Sequence, residues 1–281
     1  MYSKERPFDR SGFASLDDLD ALPWQHIYSK LENYQQRFLD NEDKFRSPSY
    51  IWPSAPLQKW SRVWEYPYVA YHVDRWQATN LLTKNLSIVD LGSGVTFFPL
   101  WLASEGYQVS AVDNDPIGIR DYPLACSALN VPQENLKFHL SDANNLPFDD
   151  NSVDCVFSIS VLEHIPKPHS VIDEIFRVLK PNGLFILTID VSLDGVHEIT
   201  SGPFLDLQEA LVRHFSPVFP ESCVHPMRIL TTLNSPFPYL FSKLDPIRSF
   251  ARIIRRYARG MPTDCPRRLA CYGFVGYPRE A

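Results

Sequence analysis

Three aspartates, each at the end of a predicted strand, are the residues whose spacing suggests a binding site. Asp90 lies in the apolar run Ser87-Ile88-Val89-Asp90-Leu91 and is followed directly by Gly92-Ser93-Gly94. Two glycines separated by one residue let the backbone turn sharply and approach a ligand, with the N-terminus of the next helix facing it. A carboxylate at this place would repel a pyrophosphate and attract an ammonium or sulfonium group. The first strand end is therefore predicted to hold the cationic part of a ligand.

The other two acids fit a nucleoside. Asp113 ends the second predicted strand, just before Asn114, where an acid can accept hydrogen bonds from both ribose hydroxyls. Asp142 ends the third, where it could accept from an adenine amino group while the Ala143 N–H faces a ring nitrogen. Taken singly, the glycine pair is also typical of a tight strand-to-helix turn, and Asp113 of a solvated loop. Three acids at three successive strand ends favour one common site.

The elements that must position these acids alternate along the middle of the chain. Short apolar runs predict strands over residues 87–91, 108–112, 136–140, 153–159 and 184–189, and helices over 98–105, 117–130 and 168–179. The last helix is predicted to stop at the turn Lys180-Pro181-Asn182-Gly183. This alternation implies a doubly wound, mostly parallel α/β sheet, which binds ligands at the carboxyl ends of its strands.

A nicotinamide-dependent oxidoreductase would use the same type of sheet. Its fingerprint has a third glycine, and Phe97 occupies that position here. A bulky ring fits a pyrophosphate cradle poorly, and Asp90 would repel the phosphates. Both residues argue against a dinucleotide.

In order along the chain, these motifs are similar to those of the class I S-adenosylmethionine-dependent methyltransferases, most closely the broad small-molecule branch. The resemblance covers about residues 85–190. It rests on Val89-Asp90-Leu91-Gly92-Ser93-Gly94, Ala111-Val112-Asp113, Ser141-Asp142-Ala143, residues 157–165 (FSISVLEHI) and residues 177–183 (RVLKPNG). Two departures are small: Val95-Thr96 replaces the commoner third glycine, and Asn182 replaces a glycine in the turn.

The resemblance implies a Rossmann-like sheet of seven strands, the last of them antiparallel and formed by residues 269–277. It implies S-adenosyl-L-methionine as cofactor and methyl transfer to an O, N or C atom of a small or medium-sized metabolite. It carries cofactor contacts over to Asp90, Leu91, Gly92, Ser93, Gly94, Asp113, Asn114, Asp142, Ala143 and Ser158. No metal is expected, because the sequence offers no cluster of partners for Glu163.

His164 is the candidate catalytic residue. It follows the fourth predicted strand, where an imidazole could face the acceptor as a general base. The alternative is that Glu163 and His164 cap the next helix or line the cofactor pocket.

The flanking regions are expected to set specificity. Residues 1–80 hold five of the six tryptophans and are predicted to form an aromatic-rich helical extension, a lid or a substrate-recognition segment. Residues 81–281 would be the methyltransferase domain, with a cofactor half at 85–190 and a C-terminal half at 191–281. Trp60, Trp64, Tyr66 and Tyr68 are candidates for the acceptor wall, or else for a helical layer packed on the sheet.

Charge and cysteine content limit the partners. A net charge of -6 gives no global basic field, so DNA binding is not expected. The arginines within residues 248–259 form a basic amphipathic pattern, either a solvated face or a contact for a membrane surface, an anionic ligand or RNA.

Five cysteines without a C-x-x-C pair and no long apolar run favour a cytoplasmic protein. A non-catalytic cofactor-binding subunit and a methyltransferase acting on RNA or protein remain alternatives.

Overall fold

The strands at the centre of the sheet are those that carry the predicted site. The computed structural model describes residues 5–79, 86–237 and 267–279. In these residues eight strands form one sheet in the order β1-β8-β6-β5-β2-β3-β4, with β7 paired to β8. The strands are β1 Gly12–Phe13, β2 Ser87–Leu91, β3 Gln108–Asp113, β4 Leu136–Leu140, β5 Val153–Ile159, β6 Leu179–Ser192, β7 Phe215–Pro217 and β8 Leu269–Pro278.

β2 lies between β3 and β5 and is parallel to both. The chain leaves β2 outward through β3 and β4, and then returns to the other side of β2 as β5. This reversal is the topological switch point, where a crevice opens at the carboxyl ends of the strands. The predicted doubly wound, mostly parallel sheet is confirmed, and β8 runs antiparallel to β6 as expected for the last strand.

Six α-helices cover the two faces of the sheet in the described residues. They are α1 Leu22–Leu39, α2 Arg62–Thr79, α3 Phe97–Ser104, α4 Ile117–Leu129, α5 Pro168–Val178 and α6 Ser201–His214. Buried side chains of α1 to α4 share one core, and those of α5 and α6 belong to a second core on the opposite face. Among the described residues, no helix has both the length and the apolarity needed to cross a membrane.

Two details differ from the sequence prediction. The predicted turn at residues 180–183 is a bulge inside β6, because the pairing with β5 steps from Val153↔Leu179 to Cys155↔Leu184. The sheet has eight strands rather than seven, since β1 and β7 each add a short pairing to β8. Strands of two or three residues are too short to show an apolar period. The basic pattern within residues 248–259 lies outside the described residues.

The N-terminal segment is part of the same packing. β1 pairs with β8, and α2 packs on β8 through Trp64 and Tyr68, which are fully buried. Gly273 makes this approach possible, because a Cβ there would lie 2.7 Å from the Trp64 ring and 3.0 Å from the Tyr68 ring. The sheet and the N-terminal segment therefore share one core.

Candidate cofactor and acceptor site

A cavity of about 540 Å³ opens at the carboxyl ends of the central strands. One wall is formed by the loops that follow β2, β3, β4 and β5, and the other by the N-terminal segment. Of the residues predicted from sequence, Asp90, Leu91, Gly92, Ser93, Gly94, Asp113, Asn114, Ala143, Tyr66 and His164 line it. The structure thus brings most of the predicted residues to one place.

The loop after β2 has the backbone that its glycines predict. Gly92 and Gly94 have φ values of +75° and +51°, a region that favours glycine. A Cβ on Gly92 would also lie 2.3 Å from a Val161 methyl group. The Gly94 N–H donates to Asp113 Oδ2 at 2.8 Å, and the Asp115 N–H donates to Asp113 Oδ1 at 2.9 Å. Asp113 therefore ties the ends of β2 and β3 together at the cavity edge.

Asp90 is the most unusual group in the wall. Its side chain lines the cavity, yet the residue is only 5% exposed. Burial, and secondarily the charge of Asp113, raise the pKa of Asp90 well above its ordinary value. Within the described residues, no basic side chain forms an ion pair with it. The carboxyl group is thus placed to receive a cation from a ligand.

Asp142 and Ser158 lie beside the cavity rather than in its wall. Asp142 is exposed and accepts from the Asn144 N–H and side-chain amide, each at 2.8 Å, which lowers its pKa. Its neighbours Ser141 and Ala143 line the cavity instead. Ser158 is fully buried and donates to the Leu91 carbonyl at 3.2 Å, so it supports the end of β2 from behind.

Only one of the four predicted aromatic residues reaches the cavity. Tyr66 lines it, whereas Trp60, Trp64 and Tyr68 lie in the core. Trp64 Nε1 donates to Asp18 Oδ2 at 2.7 Å, and Tyr68 Oη donates to the Arg10 carbonyl at 3.0 Å. Trp64 and Tyr68 belong to a helical layer packed on the sheet, because α2 turns that face towards β8, and Trp60 is buried just before the helix begins.

The segment before α2 provides aromatic residues that the sequence analysis did not single out. Tyr50, Trp52, Pro53 and Pro56 also line the cavity. Tyr50 Oη accepts from the Val95 N–H at 2.7 Å, and the Arg46 guanidinium lies 4.7 Å from the centre of the Tyr50 ring. Residues in an irregular segment have no periodic pattern to reveal them, so only their aromatic and proline content gave a signal.

A polar cluster forms the floor between α2 and the end of β5. Arg62 pairs with Glu65 and donates to Ser160 Oγ, and Ser160 Oγ donates to Glu65 Oε1 at 2.7 Å. Ser160 has φ +47°, uncommon for a residue with a side chain. Arg62 and Ser160 line the cavity, while Glu65 is fully buried behind them.

Behind this floor lie two more acids. The Asp190 N–H donates to Glu163 Oε1 at 3.1 Å, and burial raises the pKa of both carboxyl groups. Glu65, Asp190 and Cys271 each place one potential ligand atom within 4.8 Å of the others, a grouping that the sequence did not reveal. Arg62 already neutralises Glu65, and burial raises the pKa of the Cys271 thiol well above its ordinary value. The arrangement therefore disfavours a thiolate metal site.

His164 stands at the cavity wall with a carboxylate beside it. Its Nδ1 lies 3.0 Å from Glu198 Oε2, and the other oxygen of Glu198 accepts from Arg267. The His164 hydrogen bond is the main reason why the pKa of Glu198 is lowered. Glu198 was not predicted, because its position in a loop far along the chain gave no motif.

Comparisons with known proteins identify a methyltransferase domain in the part of the chain that forms the central strands. Residues 89–187 match the family model described as a methyltransferase domain. An uncharacterized methyltransferase of Mycobacterium sp. (strain JLS) is 33% identical over 129 residues, 45% of this chain and 48% of the relative. One of Mycolicibacterium gilvum is 31% identical over 149 residues, 52% and 56% of the two chains. The chain spans about half the length of the curated relatives it matches.

Solved structures share the fold at low sequence identity. The YcgJ protein of Bacillus subtilis superposes with a TM-score of 0.51 and 17% identity, over 75% of this chain and all of that one. The [4+2]-cyclase SpnF superposes with a TM-score of 0.53 and 14% identity, over 97% of this chain and all of that one. At these identities the similarity concerns the fold alone.

Proposed function

We propose that this chain, whose residues 89–187 match a methyltransferase domain, is a class I S-adenosylmethionine-dependent methyltransferase that transfers a methyl group from S-adenosyl-L-methionine to a small or medium-sized metabolite. The observation that carries the proposal is Asp90, a buried carboxyl group in the cavity wall without a basic partner among the described residues. S-adenosylmethionine carries an ammonium and a sulfonium group, and either would neutralise the ionised form of Asp90.

The remaining cofactor contacts follow from the same wall. The backbone from Leu91 to Gly94 would hold the methionine portion, because these four residues line the cavity next to Asp90. Asp113 and Asn114 would receive the ribose hydroxyls. The Ala143 N–H would donate to a ring nitrogen of the adenine, and Asp142 beside it would accept from the adenine amino group. Ser158 would act indirectly, through its hydrogen bond to the Leu91 carbonyl.

The opposite wall would receive the acceptor. Tyr50, Trp52, Pro53, Pro56 and Tyr66 present an apolar and aromatic surface to the cavity. We propose that residues 1–80 serve as the substrate-recognition segment in this way. Because cofactor and acceptor would share a cavity of about 540 Å³, a small acceptor is favoured over an RNA or a protein.

Methyl transfer from a sulfonium is an in-line displacement at the methyl carbon. The leaving group is already activated, so the chain's own residues mainly align the two partners and exclude water. Where the acceptor atom carries a proton, a base is also needed, and His164 is the histidine in the cavity wall of the described residues. The reacting atom of the acceptor is O, N or C.

A cofactor-binding protein without transferase activity remains the second candidate. The fold alone does not decide between the two, since SpnF, which shares it, is named as a cyclase. One fold hosts many reactions, so cofactor binding and methyl transfer need separate tests.

The experiment is incubation of the purified chain with methyl-labelled S-adenosylmethionine and a cell extract divided into metabolite, RNA and protein fractions. We expect label in the metabolite fraction, and none above background with an Asp90→Asn variant. Label confined to RNA or protein would contradict the metabolite acceptor. Saturable cofactor binding without labelled product in any fraction would support the second candidate.

A further inference from the structure

We propose that Glu198 is a positioning residue that holds His164 as the general base, and that the acceptor atom is therefore the oxygen of a hydroxyl or the nitrogen of an amino group. This inference rests on the proposed function, since it concerns the acceptor side of the same cavity. Nothing in the sequence motifs points to Glu198, which lies 34 residues after His164.

The contact between the two side chains fixes the tautomer of the imidazole. His164 Nδ1 lies 3.0 Å from Glu198 Oε2, and a carboxylate oxygen can only accept. Nδ1 must therefore carry the proton in the neutral ring, which leaves Nε2 with the lone pair. His164 lines the cavity and its side chain is 55% exposed, whereas the Glu198 side chain is only 11% exposed. A fixed carboxylate thus orients a ring that an acceptor can reach.

The loop that carries Glu198 is built to hold this position. Glu198 has φ +54°, which is unfavourable for a residue with a side chain and persists only where the surroundings impose it. The Ser192 N–H donates to the Ile199 carbonyl at 2.8 Å, which ties the loop end back to β6. Asp194 accepts from the Val196 N–H at 3.0 Å and from the Arg268 N–H at 3.3 Å. Strain held by such contacts is often associated with function.

The charges around the pair are mixed. Glu198 also pairs with Arg267, two residues before β8, and His197 on its own loop acts on it electrostatically. Across the cavity, Arg62 of α2 is paired with Glu65, and Glu163, next to His164, is buried with Asp190. Arg267 offsets part of the Glu198 charge, so we assign Glu198 mainly to orientation of the ring.

This arrangement would accept the proton that the acceptor loses during methyl transfer. As the acceptor oxygen or nitrogen attacks the methyl carbon, its proton passes to His164 Nε2. The bond between the methyl carbon and sulfur breaks with its electron pair on sulfur, which gives S-adenosylhomocysteine. The imidazolium then shares its Nδ1 proton with the Glu198 carboxylate. A carbon nucleophile activated elsewhere would not need this pair.

The test reads the tautomer directly and needs no acceptor. The nitrogen chemical shifts of the His164 ring, assigned with His164→Gln, are measured by NMR at a pH that keeps the imidazole neutral. We expect a protonated Nδ1 in the wild type and a shift towards the Nε2-protonated form in Glu198→Gln. Asp173→Asn is the matched control, because Asp173 Oδ1 lies 2.7 Å from His214 Nε2, outside the cavity. It should change the His214 signals and leave those of His164 unchanged.

A wild-type His164 that is protonated mainly at Nε2, or that does not respond to Glu198→Gln, would overturn the proposal. Failure of the wild type to bind S-adenosylmethionine would instead contradict the proposed function, so the two failures are distinguishable. Once an acceptor is found, Glu198→Gln should lower kcat about 100-fold with KM little changed. Glu198→Asp should retain part of the rate. Equal losses in both variants, or a change in KM alone, would contradict a positioning role.

Discussion

Asp90 is buried and has no basic partner among the described residues. Its negative charge therefore opposes folding and favours the binding of a cationic ligand. Because its pKa is higher in the folded protein than in the unfolded chain, this side chain supports folding fully below its ordinary value of 3.8 and loses that support as pH rises towards the folded pKa. At neutral pH it therefore lowers the free energy of unfolding.

Asp90→Asn should remove this penalty, because the amide does not ionise. We expect thermal unfolding at neutral pH to show a gain on the order of 1 kcal/mol, which disappears in acid, together with a large loss of cofactor affinity. Asp206→Asn, at an exposed position of α6, is the control and should change neither property. A less stable Asp90→Asn at neutral pH would contradict the account of this residue.

Residues in strand ends were predictable from the sequence, and residues in irregular loops were not. Asp90 and Asp113 follow runs whose apolar pattern defines the strand, so their place at the cavity edge is fixed by the sheet. Tyr50 comes to the cavity, and Glu198 to His164, through contacts between distant segments. No local spacing encodes those contacts.

Tyr50 links the N-terminal segment to the glycine loop, at the scale of elements. Tyr50→Phe removes the oxygen that accepts from the Val95 N–H at 2.7 Å. We expect cofactor affinity to fall by about 0.5–1.5 kcal/mol, measured by calorimetry, because the loop loses one hydrogen bond that holds its shape. Tyr34→Phe is a matched control, since Tyr34 Oη donates to the Leu100 carbonyl at 3.1 Å away from the cavity. Equal losses of affinity in both variants would argue against a role for this link.

The packing of α2 on β8 depends on the missing side chain at position 273. Gly273→Ala would place a Cβ 2.7 Å from the Trp64 ring and should destabilise the protein by about 1–3 kcal/mol. Gly202→Ala is the control, because no atom lies within 4 Å of a Cβ there. Urea unfolding should separate the two variants. A Gly273→Ala protein as stable as Gly202→Ala would contradict the core placement of Trp64 and Tyr68.

The elements themselves were predicted well where they are long and strongly patterned. β2, β4 and β5 have the predicted bounds, α4 and α5 differ by one residue at one end, and α3 is shifted by one residue at both ends. The bulge in β6 was missed because Pro181 and Gly183 are typical of turns. In the structure these residues interrupt the pairing of β6 with β5, and the pairing resumes at Leu184.

The whole molecule should unfold as one unit, because the N-terminal segment shares its core with the sheet. Phe8 is fully buried, and Asp18 receives a hydrogen bond from Trp64 and pairs with Arg10. Removal of residues 1–20 should therefore lower the free energy of unfolding by several kcal/mol, measured by urea denaturation. A shortened chain as stable as the full chain would show that residues 1–20 are a separable extension.

For the whole molecule, the sequence predicted the cofactor side of the cavity, formed by residues 85–190, better than the wall formed by residues 1–80. The motifs of residues 85–190 fix the strand order and the place of the cavity. The opposite wall depends on how residues 1–80 fold over the sheet. That packing placed Tyr50 and Trp52 at the cavity, and Trp64 and Tyr68 in the core.

The most direct test of the central claim is titration calorimetry of the purified chain with S-adenosylmethionine, repeated with Asp113→Ala. Asp113 lines the cavity and holds the Gly94 N–H, so its loss should weaken binding at least about tenfold. Thermal unfolding of the variant verifies that it is folded. Saturable binding by the wild type that is weakened in the variant is the predicted result. No saturable binding by the wild type, or equal binding by a folded Asp113→Ala, would contradict the account.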